Sequence, residues 1–317
     1  VLLRELDKLA EEPAAQGRFA AELLAVERRA QVVGPALAAL ERFPIPEARP
    51  ALLGLYADLD RDGVRLDAGG DFRAAALRAL RAWATSGDLP LLERAVTTYE
   101  YLPPTRSEEA GRIRAAGLVT LAGLDLQSAG FHAARLLADY DHTSRFNGEP
   151  GKTAAQVLAA LSEYLVLYSY TLRDRQHGEV TSECLRNLAG APDTVVRELC
   201  ARFGGEANET AQLGLIDMLL ARPERRLFRD ELRARLHGPS SLAVFRYLAV
   251  AMVVSRHAEL VDEVVAAAEA ERDRHRRRAL DEAIALAPKK IPNAKTQRRG
   301  RINAKAQSTQ RRKGNTN

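Results

Sequence analysis

The chain has little aromatic character and almost no sulfur. Phe, Tyr and Trp make up 5% of its 317 residues, with a single Trp, and there are two Cys and two Met. So few rings exclude a core built on aromatic stacking and leave Leu, Ala and Val to fill it. Two cysteines exclude a disulfide framework. Cys184 and Cys200 each lie in a helical pattern and read as small buried hydrophobes, which fits a reducing, cytoplasmic setting. No run of 18 apolar residues and no charged-then-apolar leader is present, so no transmembrane span, secretory signal or membrane partner is expected. Long period-2 alternation is missing, which excludes a sizeable sheet. No HExxH occurs, and no two of the six His stand three or four apart on one helix face.

What remains favours helix. Hydrophobic residues are 46% of the chain, and Ala, Leu, Arg and Glu are all good helix formers. The net charge of +5 hides two parts. Residues 288–317 hold ten Lys or Arg and no Asp or Glu, whereas residues 1–287 hold 37 basic and 42 acidic groups. A mildly acidic body carries a basic tail, which its composition marks as disordered.

The organising stretch is Asp71-Phe72-Arg73-Ala74-Ala75-Ala76-Leu77-Arg78-Ala79-Leu80, read as the start of a helix over 71–85 with Asp71 as N-cap. Ser86-Gly87-Asp88 turns the chain, and Pro90 opens a second helix, Leu91 to Tyr99. The unit repeats at an offset of 41: Arg73 falls on Arg114, Ala75 on Ala116, Leu77 on Leu118 and Leu80 on Leu121. Its partner helix is Ser128 to Tyr140. A third copy is Lys152 to Leu161. Ser162 to Leu172 reads as its continuation, because no Gly or Pro separates them. The pattern loosens from there, and Glu259 to Leu286 reads as one long helix. Helix pairs spaced near 40 residues, none able to bury its own apolar stripe, imply stacked repeats.

The run at 71–80, followed by Gly87-Asp88-Leu89-Pro90-Leu91-Leu92, resembles a HEAT repeat of the short bacterial type. The resemblance is good over about 50–162, weaker to 287, and poor before 45. It implies an all-α, right-handed α-solenoid of stacked antiparallel helix pairs. In it Asp71 caps a turn, Arg73 and Arg114 point into the neighbouring repeat, and Ala75, Leu80, Ala116 and Leu121 pack the pairs. The organisation expected is a helical cap over 1–45, a repeat domain over 46–287 and the basic tail over 288–317.

Candidate chemistry is sparse. Asp58 to Gly69 opens like a calcium loop, D-x-D-x-D-G, but its twelfth position is Gly69 where a bidentate Glu belongs, so it reads as a turn. Gly148 to Thr153 ends in Gly-Lys-Thr, yet Phe146 stands where a phosphate loop needs Gly. His132, Asp139, Asp141 and His142 form the densest cluster of potential ligands, on a helix end and its loop. Trp83 reads as a packing anchor between repeats. With no catalytic set, the expected role is a scaffold binding a protein partner on the concave face. By analogy with the family, Glu93, Arg94, Arg135 and Asp139 of the second helices line that face. No cofactor and no metal site are expected. The alternatives are a nucleic-acid-binding or DNA-repair protein of the HEAT type, and a HEAT-type chromophore lyase. For the nucleic-acid reading, Arg298, Arg299, Arg301, Arg311, Arg312 and Lys313 of the tail offer contacts to phosphate backbones.

Overall fold

A computed structural model describes residues 2–104, 106–173, 176–205, 208–222 and 228–287. The fold is an all-α helical repeat. Contacts divide the chain into two units, Val1–Phe228 and Arg229–Asn317. The first holds α1 (Leu2–Lys8), α2 (Pro13–Val26), α3 (Ala30–Arg42), α4 (Arg49–Asp60), α5 (Gly63–Leu66), α6 (Asp71–Leu80), α7 (Leu89–Val96), α8 (Gly111–Ala122), α9 (Leu126–Ala138), α10 (Gly151–Ala160), α11 (Tyr164–Thr171), α12 (Gly178–Arg186), α13 (Asp193–Phe203) and α14 (Glu209–Ala221). The second holds α15 (Arg229–His237), α16 (Leu242–Val254), α17 (Ala258–Ala270) and α18 (Arg274–Ala285). The only strands among the described residues are β1 (Tyr101–Leu102) and β2 (Ser107–Glu108), a two-stranded antiparallel hairpin between α7 and α8.

In the first unit the leading helices form a ladder. α4 packs on α6, α6 on α8, α8 on α10, α10 on α12 and α12 on α14. The second helices lie beside it: α7 against α8, α9 against α8 and α10, and α11 against α10 and α12. Hydrogen bonds follow the same step. Thr120 Oγ1 donates to Leu77 O at 3.1 Å, one repeat back, and Arg112 pairs with Asp71. The core is aliphatic as composition requires. Leu24, Leu37, Leu40, Leu55, Leu77, Leu92, Leu118 and Leu136 are all fully buried. Each such side chain contributes roughly 2 kcal/mol of burial.

Three local readings are corrected. Asp71 is not the cap of α6. Gly70, with φ of 71°, takes the left-handed turn before the helix, and the Asp67 carboxylate accepts the Phe72 and Arg73 amides at 3.0 and 2.9 Å. Ser162 to Leu172 is not a continuation of α10. Ser162 itself adopts a φ of 62° and starts a separate α11 without Gly or Pro. The long helix 259–286 is two, because Asp273 accepts the His275 and Arg276 amides and caps α18. Trp83 follows α6 in a turn and is 38% exposed.

Candidate functional site

Two arginines, one per repeat, are the largest fully buried side chains among the described residues. Arg73 on α6 binds Glu100 through Nη1 and Nη2 at 2.6 and 2.7 Å, and Asp67 through Nε at 3.2 Å. Burial works against its charge, but Glu100 and Asp67 outweigh that and hold the guanidinium firmly protonated. Gly63 makes the room: a Cβ there would lie 2.2 Å from Arg73 Nη1. Arg114 on α8 holds the matching place. Its Nη1 and Nη2 clasp Glu108 at 2.7 and 2.6 Å, and they donate to Thr98 O at 2.8 Å and His142 O at 2.9 Å. The guanidinium also stands 4.2 Å from the centre of the Tyr99 ring. One side chain thus ties α7, the hairpin and the loop after α9 to α8.

That loop, 139–150, carries a second polar cluster. Asp139 Oδ2 accepts the Tyr99 hydroxyl at 2.7 Å, and Asp139 Oδ1 lies 2.8 Å from His142 Nδ1. Although burial opposes it, the hydrogen bonds from Tyr99 and His142 hold the Asp139 carboxyl below its ordinary value. Arg135 Nη1 donates to the same Tyr99 oxygen at 3.1 Å. His142 Nε2 is 3.0 Å from the Tyr101 hydroxyl on the hairpin. Beside His142 opens a polar cleft of about 340 Å³, lined also by Asp71, Glu108, Arg112, Phe146 and Glu149. Asp71 and Arg112 pair with each other, Glu108 with Arg114, and Glu149 accepts the Thr153 amide at 3.2 Å. Phe146 at its lip is 96% exposed.

The four residues expected on the partner face fall into two places. Arg135 and Asp139 meet at Tyr99. Glu93 and Arg94 lie exposed on α7, with Arg94 Nε 3.5 Å from Asp60. The second helices stand side by side through a device that no motif announces. Arg135 Nη2 donates to Val96 O at the end of α7 at 2.6 Å, and Arg173, just past α11, donates to Leu137 O and Ala138 O at the end of α9 at 3.4 and 3.2 Å. Each arginine meets the negative end of the preceding repeat's second helix. Large apolar groups lie open on these helices: Phe131 of α9 is 73% exposed and Leu165 of α11 is 83% exposed, with Tyr164 beside it.

Three carboxylates of the calcium-like loop are paired with arginines, one from the loop itself and three from outside it. Asp58 pairs with Arg28 and Arg61, Asp60 with Arg73 and Arg94, and Asp67 with Arg73. Among the described residues no group of three His, Cys, Asp or Glu is placed to hold a metal ion, and no helix is long and apolar enough to cross a membrane. The tail residues Arg298, Arg299, Arg301, Arg311, Arg312 and Lys313 lie outside the described residues. Compared with protein-family models, curated proteins and solved structures, the chain matches none of them.

Proposed function

We propose that this chain is a helical-repeat scaffold that binds a protein partner across the second helices of its first unit. The observation that carries the reading is the exposure of Phe131 and Leu165 on neighbouring helices α9 and α11. A helix whose inner stripe already meets the core has no packing reason to keep such groups in water. Apolar anchors edged by charge, here Glu93, Arg94 and Arg135, are the usual composition of a binding hot spot and its rim. The resemblance of residues 71–80 to a HEAT repeat points to the same use.

The test is affinity capture from the source cells with the wild-type chain and with the double variant Phe131→Asp/Leu165→Asp. Both sites are exposed, so helix content should be unchanged. Loss of about 3 kcal/mol of anchor energy weakens a specific complex more than 100-fold and removes its partner from the eluate. A partner retained equally by both chains contradicts the proposed face.

A further inference from the structure

Where a tyrosine hydroxyl directs its proton decides what its oxygen can do. Tyr99 and Tyr168 donate to the carboxylates of Asp139 and Glu198, at 2.7 and 2.8 Å. A carboxylate is a weak base at neutral pH, and its charge opposes ionisation of the phenol. Both hydroxyls are accordingly harder to ionise than usual, Tyr99 through burial first and then Asp139, Tyr168 through its bond to Glu198.

Tyr101 faces a different acceptor. His142 Nδ1 lies 2.8 Å from an Asp139 oxygen, and an ionised carboxylate only accepts, so Nδ1 carries the imidazole proton. In the neutral imidazole Nε2 is then the lone-pair nitrogen, and the Tyr101 hydroxyl 3.0 Å away is the donor to it. The order is carboxylate, imidazole, phenol: a base held in one tautomer by its partner and aimed at a nucleophile. Tyr101 is half exposed, so its ring is reached from solvent directly; His142, but not Tyr101, is among the residues lining the neighbouring 340 Å³ cleft. The other charged groups near that ring are as follows. Arg114, which binds the His142 carbonyl, is paired with Glu108; Arg112 is paired with Asp71; Glu149 accepts the Thr153 amide; Glu109 stands at the cleft wall.

We propose that Tyr101 is a nucleophilic tyrosine, activated by His142 and Asp139, that accepts an acyl group from an activated acyl donor approaching its solvent-exposed side. The Tyr101 oxygen bonds to the acyl carbon as its proton passes to His142 Nε2. The bond from acyl carbon to leaving group breaks, and the leaving group takes that electron pair. The imidazolium returns the proton to the leaving group, which ends protonated beside an O-acyl tyrosine and a neutral His142.

The test treats the full-length chain with N-acetylimidazole and follows acetylation of each tyrosine by peptide mass spectrometry. Tyr101 should react about 100-fold faster than Tyr164, whose exposure is comparable at 43%. That comparison needs no variant. His142→Gln, checked for unchanged helix content, should abolish the difference. Tyr101 reacting no faster than Tyr164, or reacting equally fast in a folded His142→Gln chain, overturns the proposal.

Discussion

Replacing Arg114 by Ala tests the physical reasoning most sharply. The side chain is fully buried and makes four hydrogen bonds, two to Glu108 and one each to Thr98 O and His142 O, besides lying over the Tyr99 ring. Its loss leaves the Glu108 carboxylate, 6% exposed, without its cation. Breaking a buried pair from one side costs about 3–5 kcal/mol, and each orphaned carbonyl adds about 1 kcal/mol unless water reaches it. Arg114→Ala is therefore expected to lose about 5 kcal/mol, and more where water reaches neither carbonyl. Arg112→Ala, two residues away, breaks a pair more than half exposed on both sides and should cost under ~1 kcal/mol. The double change Arg114→Met/Glu108→Gln removes both charges and should recover much of the loss. Urea unfolding followed by far-ultraviolet circular dichroism reads all three. If Arg114→Ala costs no more than Arg112→Ala, the buried arginines do not hold the repeats together.

Other outcomes follow from single positions. A Cβ on Gly214 of α14 would lie 2.3 Å from Ser182 O of α12, backbone that cannot yield, so Gly214→Ala should lose about 3 kcal/mol in the same urea assay. A Cβ on Gly54 of α4 meets nothing within 4 Å, and Gly54→Ala should gain up to ~1 kcal/mol. Asp88 is buried, which by itself raises its carboxyl, but Arg49 and the Thr85 amide and hydroxyl bring it below the ordinary 3.8. Its contribution is full above 3.8 and is lost as pH falls through the lower folded value. The urea midpoint of wild type should therefore fall more steeply in acid than that of Asp88→Asn.

The repeat was legible where the physics is local. Ala-Leu spacing marked the helices, and Pro13 and Pro90 stand in the first turns of α2 and α7, where a missing amide costs nothing. The alignment of Arg73 with Arg114 foretold two equivalent side chains. Their carboxylate partners were not legible: Glu108 lies on a two-residue strand and Glu100 beside its mate, too short a hairpin to leave a periodic trace. Nor was the break at Ser162, where one residue takes a positive φ that composition does not signal. The Arg135 and Arg173 contacts to helix ends were hidden because the acceptor is backbone, which any sequence supplies. The Asp139, His142 and Tyr101 arrangement left half a signal, the dense cluster at 139–142. Tyr101 was out of view because it joins from a different repeat.

The claim that the second helices bind a partner is tested most directly by placing a photo-crosslinking residue at Phe131, and separately at Val26 of α2, an apolar site equally open at 77%. Irradiation in the source cells should give one discrete crosslinked species from position 131 and none from position 26. Crosslinks of equal yield from both positions, or none from 131, would contradict the account.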